Sequence, residues 1–237
     1  MKGIFNFIRF FVAILVIGVM IYFAGRNNRE NYCNLTNITI EMDENVFITN
    51  DVIIQYLKKN KLYLDSIKMN DVSFKNIEFL LVNHPSIKSA NVYSDMQGEV
   101  YISVKQRKPI VRIQNEKEGY YLDEDGLRMP LSNEYTARML LVTGDVNSVN
   151  ENDLYYLSDF IINDKFLKKQ IVQIDVSYSE LLMITQIGEQ VEFGQIKEVG
   201  EKFEKLKLYY EKGNSQNQEY KALNLKYKNQ IVCIKNK

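Results

Sequence analysis

The sequence has little of what loosens or cross-links a chain. Eleven glycines and three prolines among 237 residues exclude long flexible linkers, and no low-complexity run or internal repeat appears. An excess of either charge is also missing. Thirty Lys plus Arg balance thirty Asp plus Glu, so the basic surplus of a nucleic-acid binder is absent. Cysteine is scarce: Cys33 and Cys233 form neither a disulfide framework nor a metal-ligand spacing. They read as a loop thiol and a small apolar strand residue, with a bridge between them as the rarer alternative outside the cytoplasm. The single histidine, His84, stands before Pro85 at a helix end. A general base needs positioned partners, so His84 reads as structural. No glycine-rich phosphate loop is present. Asp123-Glu124-Asp125-Gly126 lacks the later oxygen ligands of a calcium loop and reads as a turn with Gly126 at positive φ. The 16 tyrosines and 12 phenylalanines read as packing rather than as a sugar-binding surface. Together these point away from an enzyme, a cofactor, a metal or a small-molecule substrate.

What the sequence does have is one long apolar run. Residues 4–24 are broken only by Asn6, Arg9 and Gly18. As a helix they span about 30 Å, the thickness of a bilayer core. Ile4, Phe11, Leu15, Val19 and Phe23 are the anchor residues of this predicted transmembrane helix, and Arg9 is placed to snorkel to the headgroups. A cleaved signal peptide is the rival reading. Tyr22 fits poorly three positions before a cut after Ala24, which favours an uncleaved anchor. Lys2 and Arg9 on one side against Arg26 and Arg29 on the other leave the positive-inside rule nearly silent. The short tail, residues 1–3, and the large remainder fit a cytoplasmic N-terminus with the bulk extracytoplasmic. Residues 25–35 read as a linker.

Residues 36–106 read as a β-α-α-β-β domain. A short strand at 37–42 precedes a helix capped by Thr49 or Asn50, with Val52, Ile53, Tyr56 and Leu57 on its apolar face. Ser73 caps a second helix lined by Phe74, Ile77, Leu80 and Leu81, which His84-Pro85 stops. A strand at 87–93, a turn at 95–98 and the alternation of Val100, Ile102 and Val104 complete a hairpin.

Residues 107–237 read as a mixed β-sheet domain with packed helices. Strands are expected at 110–113, 120–122, 127–131 and 139–143, then around 172–176, 181–187 and 190–193. Helices are expected at 152–162 and 196–210. On the second, Glu198–Lys202 and Glu201–Lys205 form i,i+4 pairs on a wet face. A last hairpin sets Leu223, Leu225 and Tyr227 on one face, turns near Asn229 and ends in a strand at 230–235. A final strand of an open sheet often lies at an edge and can accept another chain. Val232→Pro is the expected way to block such pairing, since it removes a backbone donor.

Three stretches resemble one known family. They are His84-Pro85-Ser86-Ile87-Lys88-Ser89-Ala90-Asn91-Val92 with Gly98-Glu99-Val100-Tyr101-Ile102-Ser103-Val104, the exit Gln106-Arg107-Lys108-Pro109-Ile110 with Tyr121-Leu122-Asp123-Glu124-Asp125-Gly126, and Tyr220-Lys221-Ala222-Leu223-Asn224-Leu225-Lys226-Tyr227 with Asn229-Gln230-Ile231-Val232. In this order they are similar to the bacterial FtsQ/DivIB cell-division proteins. The resemblance implies an FtsQ-type POTRA domain followed by a distal β domain. It also implies a non-catalytic, single-pass inner-membrane scaffold at the division septum. The implied partners are FtsB/DivIC-like and FtsL-like proteins, together with the lipid bilayer through the anchor. The expected contact residues are Gln230, Ile231, Val232, Cys233, Ile234 and Lys235, flanked by Tyr220 and Lys226. The very short cytoplasmic tail departs from many members. Two other classes compete. A POTRA-containing chaperone or transport component predicts repeated units or a β-barrel, and neither is visible. A membrane-anchored envelope enzyme predicts a catalytic constellation, and none is seen in sequence.

Overall fold

The computed structural model describes residues 2–29, 32–41, 46–95, 97–132, 138–213 and 220–235. It divides into two compact units, 1–106 and 107–237, and is mixed α+β, as the sequence predicts.

The first unit opens with helix α1, Lys2–Arg29. Its described side chains run from Arg9 to Tyr22, and Phe11, Leu15 and Val19 among them are exposed. The side chains of Ile4 and Phe23 lie outside the described residues. Among the described residues, no helix is long and apolar enough to cross a membrane. β1, Asn34–Glu41, follows. The stretch read as a linker, 25–35, therefore carries regular structure at both ends.

α2, Asn50–Lys59, is capped by Thr49, whose hydroxyl accepts the Val52 amide at 3.4 Å. α3, Phe74–Val82, is capped by Ser73, which accepts the Asn76 amide at 3.4 Å. Each cap satisfies a backbone donor that the helix leaves over. β2, Ile87–Ser94, and β3, Glu99–Gln106, pair antiparallel, while β1 pairs parallel with β3, giving the order β1-β3-β2. Both helices bury their apolar stripes (Ile53, Leu57, Ile77, Leu81) against Val100, Ile102 and Val104 of β3. Cys33 belongs to this core, not to a loop surface: it is buried, its thiol meets the Met69 sulfur at 3.4 Å, and burial raises its pKa. His84 closes the turn after α3. Its Nδ1 accepts the Ser86 amide at 3.2 Å, its ring meets Tyr56 edge-on at 4.8 Å, and burial lowers its pKa.

The second unit contains β4 (Pro109–Gln114), β5 (Gly119–Asp123), β6 (Arg128–Pro130), β7 (Leu140–Gly144), α4 (Glu151–Asn163), α5 (Lys165–Gln170), β8 (Ile171–Ser177), β9 (Glu180–Thr185), β10 (Gln190–Gly194), α6 (Val199–Leu208), β11 (Tyr220–Asn224) and β12 (Val232–Lys235). The described strands form one sheet in the order β12-β11-β10-β9-β8-β7-β4-β5-β6. One face packs Val142, Ile174, Met183, Val191 and Leu223 against Leu157 and Ile161 of α4 and Phe203 and Leu206 of α6. The β5–β6 turn is as expected, with Gly126 at φ +74°. Asp123 holds it together. Its Oδ1 accepts the amides of Asp125 and Leu127 at 2.9 and 2.8 Å, and its Oδ2 meets the Arg107 guanidinium at 2.8 Å. Oδ1 is thus spent on the turn and Oδ2 on Arg107.

α5 escapes the sequence reading because six residues give too short a pattern. Its signal is Asp164, which accepts the amides of Phe166 and Leu167, both at 3.0 Å, and ion-pairs with Lys207 of α6. The Lys207 contact and these amides hold the Asp164 carboxyl below its usual range. A depressed carboxylate stabilises fully above the unfolded pKa and loses its effect as pH falls through the folded one. Asp164→Ala is expected to cost about 1 kcal/mol at neutral pH. In acid denaturation scans, the gap to wild type should narrow only below about pH 4.

Candidate functional site

The described residues contain no group of three or more His, Cys, Asp or Glu that could hold a metal ion. The feature that stands out is the end of the large sheet. β12 pairs antiparallel with β11 on one side and is the last described strand on the other. It spans 232–235 rather than the expected 230–235, because the chain is still turning through Asn229 at φ +60°. Gln230 is exposed ahead of the strand, and Ile231 packs on the core.

The register decides which backbone groups face outward. The Leu225 amide donates to the Glu192 carbonyl of β10 at 3.0 Å. Backbone groups of successive strand residues point to opposite sides, so Leu223 and Leu225 address β10, while Ala222 and Asn224 address β12. Their register partners are Ile234 and Val232. The N–H and C=O of these two are therefore engaged with β11, and Cys233 turns its N–H and C=O to the open edge. The expectation for Val232→Pro is thus corrected: that substitution breaks the β11–β12 pairing within the unit, and position 233 holds the outward donor.

Side chains follow the opposite alternation. Cys233 and Ile231 lie on the helix-covered core, whereas Val232 and Ile234 are 39% and 38% exposed on the other face. The edge thus combines an outward peptide group with two accessible β-branched side chains. Burial raises the Cys233 thiol pKa, with the Glu189 charge adding to it, which disfavours a reactive thiolate.

The hairpin that presents β12 is held from below and beside. Lys205 of α6 donates to the carbonyls of Leu225 (3.2 Å) and Tyr227 (2.6 Å) in the β11–β12 connection. Lys202, one turn earlier, is buried, donating to the carbonyls of Phe193 (2.9 Å) and Gln195 (2.8 Å). Both lysines were expected to meet glutamates on a wet face; the tertiary structure instead gives their ammonium groups backbone acceptors on β10, just after it, and in the hairpin. Lys226 lies across the sheet, 3.2 Å from Glu180 and 3.6 Å from Glu192, and its amide donates to Asn224 Oδ1 at 3.0 Å. The Glu180 contact raises its pKa. Asn224 also bonds Glu192. Tyr220 is half-buried opposite Lys235, its ring 6.4 Å from Tyr209. Sequence reasoning placed a final strand here but gave no sign of Lys205. Replacing it by Met removes two carbonyl contacts at roughly 1 kcal/mol or more each. Lys205→Met should speed amide exchange of residues 223–233 about tenfold or more without unfolding the unit; unchanged protection would show that the contacts do not hold the hairpin.

Residues 108–234, more than half of the chain, match the family described as FtsQ/DivIB, C-terminal related. The chain belongs to the FtsQ/DivIB family. Residues 31–105 match the POTRA-like domain, in agreement with the β-α-α-β-β order and the β1-β3-β2 sheet of the first unit. No curated protein matches the chain. FtsQ/DivIB membership agrees with the resemblance carried by the motifs around His84-Pro85, the Arg107-Lys108-Pro109 exit and the final hairpin.

Proposed function

We propose that this FtsQ/DivIB protein is a non-catalytic scaffold of the bacterial division machinery. It captures a partner of the FtsB/DivIC or FtsL type by accepting a strand from it on the edge of β12. It is held in the inner membrane by residues 4–24, with its N-terminus in the cytoplasm and both folded units outside, at the septum. The single observation that supports this reading best is the edge position of β12, with the Cys233 peptide group outward and Val232 and Ile234 exposed. An added strand would satisfy the open peptide groups and cover both side chains, while the anchor raises the local concentration of partners held in the same membrane. Gln230, Ile231, Cys233 and Lys235 complete the contact segment in this reading, with Tyr220 and Lys226 as its flanks. Capture then depends on backbone geometry, so its test is a proline at position 233 beside a side-chain control.

The POTRA-containing chaperone reading places client binding on the first unit, where β2 is a sheet edge. Its outward Val92 amide is already taken by Glu78 of α3 at 2.8 Å, so the β12 edge is the better acceptor.

A further inference from the structure

The membrane-proximal unit carries a surface that neither its fold nor the β12 edge explains. The loop after α2 is stitched to the first residues after α1. Tyr32 bridges Lys68, the Cys33 amide donates to the Ile67 carbonyl at 2.9 Å, and the Leu35 amide donates to Asp65 Oδ1 at 3.3 Å. β1 runs away from this end, and α2 returns to it. The end of the unit that receives the chain from α1 is therefore built from the C-terminus of α2, the 61–69 loop and Tyr32. Only two residues separate Arg29, the end of α1, from Tyr32. The reach from one to the other is at most about 10 Å.

Lysines and tyrosines are prominent on this surface. Lys58, Lys59, Lys61 and Lys68 are all exposed. Tyr32 and Tyr63 are 59% and 53% exposed. Two acids at this end bind backbone amides: Asp65 accepts the Leu35 amide, and Asp95 accepts the amides of Gln97 and Glu99 at 2.8 and 2.9 Å; with Asp65 and Asp71 exposed, the four lysines still leave this end an excess of positive charge. Lys61 takes φ +62°, which turns the chain between the end of α2 and Tyr63. Aromatic rings with a polar tip and long lysine stems are what a bilayer interface accepts, the rings at headgroup level and the ammonium groups on lipid phosphates.

We propose that this end of the unit docks on the headgroups of the bilayer that holds α1, and that it binds anionic lipid in preference to zwitterionic lipid. The proposal rests on the anchor reading of residues 4–24. Docking would fix the direction in which the first unit leaves the membrane, which a two-residue connection makes geometrically compact.

The chain contains no tryptophan, so a single introduced one reports its own position. The full chain carrying Tyr63→Trp is placed in nanodiscs of phosphatidylcholine with or without phosphatidylglycerol, and quenching by brominated acyl chains is read. Phe11→Trp reports the anchor and Tyr178→Trp, on the distal unit, is the water-exposed control. The expected result is strong quenching at positions 11 and 63, with the signal at 63 larger in phosphatidylglycerol and reduced by high salt. Adding Lys58→Gln, Lys59→Gln and Lys61→Gln should lower the quenched population at 63 roughly tenfold or more and leave position 11 unchanged. Quenching at 11 without quenching at 63, or quenching at 63 indifferent to lipid charge, overturns the docking proposal alone. Absence of quenching at 11 removes the anchor and the proposal with it.

Discussion

Cys233→Pro is expected to abolish partner capture while leaving the distal unit folded. The Cys233 amide faces away from β11, so its loss costs no hydrogen bond inside the unit, and proline is tolerated where an edge strand's N–H points outward. An incoming strand loses its donor at the centre of the new ladder and meets the proline ring there. The expected effect is a loss of at least about a hundredfold in affinity for an FtsB/DivIC-like or FtsL-like partner, from one missing bond, its stranded acceptor and the steric block. Cys233→Ala keeps the peptide group and should bind within a few-fold of wild type. Val232→Pro behaves differently: it removes an amide that pairs with Asn224 of β11 and should raise hydrogen exchange along the hairpin. Pull-down from detergent-solubilised membranes, with thermal melts of each variant, separates the three. Wild-type capture by Cys233→Pro would place the partner elsewhere and sink the strand-addition reading.

Gly144→Ala is expected to be the most damaging single methyl group in the distal unit. Gly144 ends β7 at φ +87°, and a Cβ there would lie 2.2 Å from the Val176 carbonyl oxygen of β8, a backbone atom. The same oxygen accepts the Asp145 amide at 2.8 Å, so it has no freedom to retreat without breaking the turn. An ordinary contact needs about 3.4 Å or more, and positive φ adds a further cost for any side chain. Together they predict a loss of about 3 kcal/mol or more and a fall of roughly 10 °C in the melting temperature of this unit. A fall of only a degree or two in calorimetry would mean that β7 and β8 separate easily, contrary to the parallel pairing that joins the two halves of the sheet. Gly188, also at positive φ (+85°) but with open space around its missing Cβ, is the comparison. Its alanine variant should lose only the strain term, about 1 kcal/mol.

The sequence by itself determined what is local. Alternation at Val100, Ile102 and Val104 specifies a half-buried strand because side chains of a strand alternate faces. Thr49 and Ser73 announce helix starts because short polar side chains bond the leftover amides. The motifs around His84-Pro85, the Arg107-Lys108-Pro109 exit and the last hairpin sufficed for the family. A final strand at a sheet edge was also legible, from chain order and β-branched content.

Only the tertiary structure decided what depends on partners distant in sequence. Which of Val232 and Cys233 points its amide outward follows from the parallel pairing of β10 with β11, and no pattern within 230–235 carries that parity. Lys202 and Lys205 sit at helical spacing from glutamates, and local rules assign them to ion pairs. Their actual acceptors are carbonyls on β10 and on the β11–β12 connection, brought over α6 by the crossover. Cys33 became a core residue only when the 61–69 loop folded over it. In each case the deciding energy is a hydrogen bond or contact closed over tens of residues, which periodicity does not encode.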